Sequence, residues 1–257
     1  MALHGFMRRF SFDPSKAGWL GVEREAFIQT TDGALVPEAS RVLSALRAHD
    51  PNRFGFELSA CQIESRTRPC CVDELLDELR ANDDALNVAL SSLGLMANHH
   101  EVGPVDMPLD VFPDPTGRYQ RIVEQMSPEV RMAACRIIGT HVHVGMPDHE
   151  TALRVYNDVV QHVPRLCDLG DGSGGERLAI YRTVNPDCMP RPYGSWSEFH
   201  GVALAEGFAD DPRNCWTLVR VSKHGTLEFR MFGTTQYVEM VYEWARECHR
   251  VCMEVME

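Results

Sequence analysis

Acidic, imidazole and guanidinium side chains recur at close spacing in four separate segments of the chain. Glu23 and Glu25 are two residues apart, and so are His141 and His143. Because side chains of a strand alternate between its two faces, the members of each pair point the same way. Carboxylate oxygens with one or two imidazoles, and without a thiolate pair, suit Mg²⁺ or Mn²⁺ better than Zn²⁺. The remaining candidates are Glu57, Gln62, Glu64, Glu228 and Arg230.

Each of these motifs is a weak signal on its own. A Glu-x-Glu pair on a strand is most often a solvated face, and a His-x-His pair is more often structural or a site for another metal. Glu57 precedes Glu64 by seven residues, a spacing that puts the two acids on opposite faces of a continuous strand. A bend or bulge near Ser59 and Ala60 would bring the two carboxylates together.

Alternating apolar and polar residues predict the strands that carry these side chains. Leu20, Val22 and Ile28 belong to the apolar face of the first strand, and Arg24 is the exception on that face. Residues 222–225, which end in glycine, are predicted to join the last two strands into a hairpin. The predicted strands and extended pieces cover residues 19–29, 54–67, 135–146, 216–221 and 226–232.

Apolar residues spaced three or four apart predict the helices that cover these strands. Residues 101–116, which are rich in Pro and Asp, are predicted to be a loop. Glycines and prolines predict an irregular segment and a candidate lid over residues 168–208. The predicted helices span residues 37–48, 72–93, 118–126, 150–163 and 236 to the end of the chain.

These elements predict an α+β fold with a mostly antiparallel sheet. Helices are expected on one face of the sheet, and the polar strand residues are expected to ring the other, concave face. A length of 257 residues, with 44% hydrophobic and 24% charged residues, is typical of one folded domain. We therefore expect a single domain over residues 1–257, in which residues 168–214 form the lid or irregular insert.

Charge and cysteine content narrow the class of protein. The 25 Lys and Arg residues against 37 Asp and Glu residues give a formal charge of −12. Such a balance argues against nucleic acid or an anionic membrane as the main partner. The sequence has neither a signal-like start nor an apolar run of membrane-spanning length, so a cytoplasmic location is expected. The nine cysteines include no Cys-x-x-Cys pair and are predicted to be reduced.

Four motifs occur in an order that resembles the carboxylate–amine ligases of the second glutamate–cysteine ligase type. This group is itself similar to glutamine synthetase, so the resemblance implies a glutamine-synthetase-like catalytic domain. The likeness extends with gaps from about residue 18 to 245, and Arg118 with Tyr119 adds a weaker match. The motifs are Gly-Val-Glu-Arg-Glu at 21–25, Glu57 with Gln-Ile-Glu at 62–64, Gly-Thr-His-Val-His-Val-Gly at 139–145 and Gly-Thr-Leu-Glu-Phe-Arg at 225–230.

The resemblance implies a role for each of these side chains. Arg230 would approach the transferring phosphoryl group, with Glu228 beside it at the catalytic centre. His143 would either touch the nucleotide or brace its strand. Arg182 is a weaker candidate for binding a substrate carboxylate or a phosphate, and a surface or structural role is its alternative. The ligands implied for two or three divalent ions around the phosphates of ATP are Glu23, Glu25, Glu57, Glu64, His141 and Glu228.

The implied reaction is the ATP-dependent joining of an amino-acid carboxylate to an amine through an acyl phosphate. Glutamate and cysteine are the first candidates for these small-molecule substrates, and a homodimer is a candidate assembly. Members of this family are commonly longer than this chain, so two alternatives stay open. One is a shortened, non-catalytic relative that binds nucleotide or amino acid. The other is a metallohydrolase that uses the Glu and His cluster without ATP.

Overall fold

The computed structural model describes residues 2–46 and 52–256. Seven strands in these residues form one sheet in the order β2-β3-β1-β5-β7-β6, and β4 pairs with the last residues of β1. Every pairing between these strands is antiparallel. The strands are β1 (Leu20–Thr30), β2 (Phe54–Phe56), β3 (Gln62–Arg66), β4 (Leu95–Asn98), β5 (Thr140–Gly145), β6 (Val219–Val221) and β7 (Thr226–Phe232).

The sheet confirms the predicted α+β architecture and differs from it in three places. The strand predicted over residues 216–221 begins only at Val219. The strand predicted over residues 135–146 begins only at Thr140, because Cys135 and Arg136 end a helix. Ser127 caps that helix by accepting from the Val130 amide, which the strand pattern did not reveal. The strand β4 lies outside every predicted strand, since its four residues are too few to show alternation.

The described residues also form ten α-helices. The helices predicted over 72–93, 118–126, 150–163 and 236 onward are confirmed to within a few residues, whereas residues 47 and 48 of the helix predicted over 37–48 lie outside the described ranges. Among the described helices, none is long and apolar enough to cross a bilayer. They are α1 (Leu3–Met7), α2 (Ala39–Leu46), α3 (Val72–Ser92), α4 (Arg118–Glu124), α5 (Pro128–Arg136), α6 (His149–Val159), α7 (Val163–Leu169), α8 (Glu176–Val184), α9 (Trp196–Ala205) and α10 (Val238–Met256).

The long helices α3, α6 and α10 cover one face of the sheet. Helix α10 packs against β5 and against both other helices, while α3 contacts β1 and α6 contacts β7. The apolar sides of the strands point into this layer, as the buried Val22, Val142 and Phe229 show. Burial of such side chains supplies most of the stabilisation of a sheet backed by helices. The opposite face is therefore left to the polar residues.

Arg24 is the exception on the apolar face of β1, and three partners account for its burial. Its Nη1 donates to Asp83 Oδ1 of α3 at 2.5 Å, and its Nη2 donates to the carbonyl oxygen of Thr235 at 2.5 Å. Burial and the charge of Arg24 lower the pKa of His99 to about 3, so its neutral ring accepts from Arg24 Nη2 at 3.2 Å. Both terminal nitrogens of the buried guanidinium are thus partnered, as a charge in an apolar layer requires, whereas its Nε has no hydrogen-bond partner among the described residues.

The segment predicted to be irregular, residues 168–208, contains the helices α8 and α9, so that prediction is wrong. Ser195 caps α9 by accepting from the Glu198 amide at 3.2 Å. Trp196, Phe199 and Ala203 of this helix are buried at a spacing that follows the helical period. The many glycines and prolines around α9 conceal this signal in the sequence. The role of residues 168–214 as a lid stays a prediction.

Candidate active site

The polar faces of five neighbouring strands meet in one row across the sheet. Antiparallel register places the side chains of each pair directly opposite each other, where they are close enough to interact. The row contains the motifs that the sequence separates by long stretches of chain. The opposed pairs are Glu25 with Glu64, Glu23 with His141, His143 with Glu228, and Glu228 with Arg220.

Glu25, Glu57 and Glu64 form the first cluster, in which one carboxylate oxygen from each lies within 4.8 Å of the others. The chain turns between β2 and β3, and this turn brings Glu57 beside Glu64, which meets the condition of a bend between the two acids. Burial and the charge of Glu25 raise the pKa of Glu57 to about 8. Burial, with Glu23 and Glu57 nearby, raises the pKa of Glu64 well above its usual range. Carboxylates held this close favour a bound cation.

Glu23, His143 and Glu228 form the second cluster, again with one ligand atom from each within 4.8 Å of the others. His141 lies between the clusters: its Nδ1 is 3.2 Å from Glu23 Oε2, and its Nε2 is 4.0 Å from Glu25 Oε1. Burial alone would raise the pKa of Glu23, but His143 and His141 hold it well below its usual range. Oxygen and imidazole ligands in this arrangement could hold a second divalent ion.

Glu228 is 1% exposed and receives two guanidinium groups. Arg220 donates from Nε to Oε2 at 2.7 Å and from Nη2 to Oε1 at 2.9 Å, and Arg230 donates from Nη1 to Oε1 at 2.5 Å. Burial favours the neutral acid, but the two arginines hold the pKa of Glu228 well below its usual range. Sequence reasoning missed Arg220, although the register of the predicted hairpin places it opposite Glu228.

A cavity of about 380 Å³, here called the first cavity, lies over the first cluster. Glu25, Glu57 and Glu64 line it from the sheet. Helices α4, α5 and α8 lie across from them, so the predicted concave face is closed in part by a second layer of short helices. A charged floor under a partly apolar wall suits a small molecule that carries both kinds of surface. The apolar residues of the wall include Ile122, Met126, Ala134, Ile137 and Val184.

Arg182, a predicted ligand-binding residue, is exposed on α8 and does not line the first cavity. Arg177 of the same helix lines the cavity instead and is buried. Its guanidinium donates to the carbonyl oxygens of Ile138 at 2.6 Å, Met231 at 3.1 Å and Arg230 at 3.3 Å. Arg177 therefore ties the start of β5 to the end of β7. Because no helix is predicted in this segment, the sequence alone does not show which of Arg177 and Arg182 faces the sheet.

A second cavity of about 690 Å³ lies where β1 begins and β5 ends. Trp19, Gly21 and His143 line it, and Glu23 and Arg66 line both cavities. The Nδ1 of His143 lies 2.8 Å from the Thr226 hydroxyl oxygen of β7, while its Nε2 is 3.6 Å from Glu23 Oε2. His143 thus braces its strand and also faces the second cavity, so the two roles weighed for it are compatible. The two cavities therefore meet at Glu23 and Arg66.

A family model described as glutamate-cysteine ligase family 2 matches residues 19–235. The chain belongs to this family. The matched range includes both ligand clusters, Arg220 and Arg230, and every motif on which the resemblance in the sequence depends. Membership of glutamate-cysteine ligase family 2 therefore confirms that resemblance.

Curated relatives named as glutamate–cysteine ligases are 25–31% identical to this chain over the aligned residues. A relative from Rubrobacter xylanophilus, provisionally named glutamate–cysteine ligase 2-1, is 27% identical over 240 residues, which are 85% of this chain and 62% of the relative. A glutamate–cysteine ligase from Natronomonas pharaonis is 26% identical over 247 residues, which are 86% of this chain and 65% of the relative. The chain thus spans less than two-thirds of the length of these relatives.

Two solved structures share the fold of this family 2 chain. A bifunctional glutathione synthetase from Pasteurella multocida gives a TM-score of 0.62 at 15% identity, over 99% of this chain and 39% of that one. A GmaS/ADP complex gives a TM-score of 0.54 at 11% identity, over 93% of this chain and 54% of that one. At these identities the likeness shows the architecture of the sheet and its helices.

Proposed function

We propose that the chain is the catalytic domain of an ATP-dependent ligase that joins an amino-acid carboxylate to an amine. Glutamate and cysteine are the first substrates to test. The observation that carries the proposal is the pair of adjacent ligand clusters, which lie where two cavities meet at Glu23 and Arg66. Two cavities on either side of the ligand atoms favour a reaction between two bound molecules over simple hydrolysis. Membership of glutamate-cysteine ligase family 2 independently supports ligase chemistry.

Both clusters have the donor set that a hard divalent cation requires. Glu25, Glu57 and Glu64 would hold one Mg²⁺ or Mn²⁺ ion. Glu23 and Glu228 would hold another ion, together with the imidazole of His143 or of His141, the ligand that the resemblance implies. When bound, such ions neutralise nucleotide phosphates and polarise the group that is transferred. The raised pKa of Glu57 agrees with this assignment, because a cation relieves the repulsion among the three acids.

The reaction has two steps that the residues of the site can assist. A carboxylate that attacks the terminal phosphate of ATP brings two anions together, forms an acyl phosphate and releases ADP. Arg230, whose guanidinium lines the first cavity beside Glu228, would bind the phosphoryl group during this attack. An amine then attacks the acyl carbon, phosphate leaves, and the amine loses a proton to give the amide. Exclusion of water by the helices over the first cavity would protect the acyl phosphate.

The two cavities would divide the substrates between them. The second cavity borders Glu23 and His143, and we assign it to the nucleotide. The first cavity borders the all-carboxylate cluster and the apolar wall, and we assign it to the amino acid and the amine. The phosphoryl group would then pass from one cavity to the other beside Glu23 and Arg66, which line both.

ADP release in the presence of paired substrates tests the proposed function directly. The chain is incubated with Mg²⁺ and ATP together with an acid, an amine, or both, and a coupled assay follows ADP. We expect release that depends on both substrates. Nucleotide binding without release for any pair would support a non-catalytic relative. Hydrolysis that needs the metal and no ATP would support a metallohydrolase.

Metal removal is the first expected result. Exhaustive chelation should abolish ADP formation, and Mg²⁺ or Mn²⁺ should restore it, because the ligands are mostly carboxylates. Zn²⁺ should not substitute productively, since it prefers softer ligands and lower coordination numbers. Turnover at the full rate in metal-free enzyme would contradict the assignment of both clusters.

Proton release on metal binding is the second expected result. With its pKa raised to about 8, Glu57 carries a proton at pH 7 in the metal-free protein, and Glu64 is raised as well. Because a cation binds the ionised carboxylates, Mn²⁺ should expel protons, and its affinity should rise with pH up to about 8. Titration calorimetry at pH 7 in two buffers of different ionisation enthalpy counts the protons, and Glu57→Gln should reduce the count. Identical heats in both buffers would contradict this expectation.

We further propose that the protein works on small molecules in the cytoplasm. All nine cysteines are free thiols, as predicted, which suits a reducing compartment. A homodimer stays a prediction, and light scattering of the purified chain tests it.

A further inference from the structure

Trp19 lies immediately before β1, and the alternation along the extended chain puts it on the face that carries Glu23 and Glu25. Odd-numbered residues share this face, so the order along it is Trp19, Gly21, Glu23 and Glu25. At about 3.3 Å per residue, the step from Trp19 to Glu23 covers about 13 Å. This distance is comparable with the span of a nucleoside triphosphate from its base to its terminal phosphate.

The indole of Trp19 presents an aromatic surface to the second cavity and is 40% exposed. The other three tryptophans are engaged: Trp196 packs against Phe6, Trp244 stacks on Phe232, and Trp216 lies under Arg230. Within residues 2–46 and 52–256, neither a ring nor a guanidinium packs on Trp19. A large aromatic side chain left open in a cavity is typical of a ligand site.

Only the backbone of a glycine lies between the Trp19 indole and the Glu23 carboxylate along this face. Gly21 lies between Trp19 and Glu23 on the same face, and it pairs with His143 across β1 and β5. Because Gly21 has no side chain, the floor of the second cavity is open between the indole and the carboxylate. A sugar ring could lie across this strip while the phosphates extend toward Glu23.

The backbone around Trp19 is fixed by hydrogen bonds on both sides. The Trp19 carbonyl oxygen accepts from the Gly145 amide at 2.8 Å, and the Trp19 amide donates to the Lys16 carbonyl oxygen at 3.0 Å. Gly18, at φ +75°, provides the left-handed turn that leads into the strand. A Cβ on Gly145 would collide with the Lys16 carbonyl oxygen, so this close approach requires glycine. The indole is therefore presented by a rigid segment.

We propose that Trp19 is the residue on which the base of a purine nucleotide stacks, and that the second cavity is its pocket. This inference rests on the proposed function, because it takes that cavity to be the nucleotide site. A purine offers a broad π-face, and an indole is a large aromatic platform for it. Trp19 would thus bind the base, while Glu23 and its neighbours bind the phosphates through their cation.

Calorimetric titration with two probes separates the contribution of the base to binding from that of the phosphates. ATP and inorganic tripolyphosphate, each with Mn²⁺, are titrated into the wild-type chain and into Trp19→Ala, Trp19→Phe and Tyr237→Ala. Tyr237 is exposed and lines neither cavity, so its variant is the matched control. We expect Trp19→Ala to weaken the binding of ATP about five- to 150-fold, the range for loss of one base–aromatic stack. Trp19→Phe and Tyr237→Ala should bind ATP nearly as the wild type does.

Tripolyphosphate should bind all four proteins equally, because it has no base. Equal ATP affinity in the wild type and Trp19→Ala would overturn the stacking proposal and leave the proposed function standing. Equal weakening of ATP and tripolyphosphate by Trp19→Ala would also overturn it, since the residue would then act through the fold. If the wild type binds neither probe, the proposed function fails and the stacking proposal fails with it.

Discussion

Replacing Arg230 with lysine should lower turnover by about a hundredfold or more, by analogy with removal of a preorganised donor to the transition state. Lysine keeps the positive charge but loses the planar fork that binds two oxygens at once. Arg230 is buried, holds Glu228 Oε1 at 2.5 Å and has its guanidinium 5.7 Å from the centre of the Trp216 ring. The guanidinium is therefore held in place before the phosphoryl group arrives. Affinity for ATP should change much less than turnover.

Arg220→Lys is the matched control for this variant. Arg220 also pairs with Glu228, through two hydrogen bonds, so its replacement disturbs the same carboxylate. If Arg230 only held Glu228 in the sheet, both variants would lower the melting temperature and leave turnover of the folded enzyme nearly unchanged. A selective loss of turnover in Arg230→Lys supports direct contact with the phosphoryl group. Equal effects of the two variants on turnover would contradict it.

Glu64→Gln and Glu25→Gln should each reduce turnover by orders of magnitude while the fold persists. Each change removes one charge from the first cluster with little change in shape, and so weakens the cation that the three acids hold together. Without metal, Glu64→Gln should be at least as stable as the wild type, because one of three mutually repelling carboxylates is gone. The stabilisation by Mn²⁺ seen in the wild type should shrink in the variant.

Thermal melts with and without Mn²⁺, together with ADP formation, check this expectation. Glu150→Gln provides the control, since Glu150 is exposed on α6 and lines neither cavity. Near-normal ADP formation in Glu25→Gln or Glu64→Gln would show that the residue is not a ligand. A melting temperature that falls in the absence of metal would instead assign the residue to the fold.

The parts of the site that lie on regular strands could be predicted from the sequence. Period-two spacing places Glu23 with Glu25 and His141 with His143, and antiparallel pairing then aligns the strands. The position of Glu57 follows only conditionally, because its odd spacing to Glu64 brings the two acids together only where the chain bends between them. In each case the signal is local to one strand or one connection.

The features of the site that the sequence could not show are those that depend on how distant elements pack against each other. Arg177 reaches the site from α8, a helix whose weak pattern is hidden among glycines and prolines, so Arg182 drew the prediction instead. Arg220 requires the register of the hairpin, which a turn signal alone does not fix. Trp19 becomes notable only when its exposure inside a cavity is known. Cavities are tertiary features, and no single stretch of sequence encodes them.

The contact between the buried Arg24 and the partly exposed Asp83 makes two remote parts of the chain interdependent in any redesign. Losing Asp83 alone would leave the buried Arg24 guanidinium without its ionic partner, a defect that commonly costs up to about 3–5 kcal/mol in a fully buried pair. Replacing both partners together with apolar residues of matching volume is often tolerated. Arg24 sits between Glu23 and Glu25 in the sequence while its guanidinium reaches the Thr235 carbonyl beyond β7. A new core for this sheet therefore has to be chosen for β1, α3 and the segment after β7 as one unit.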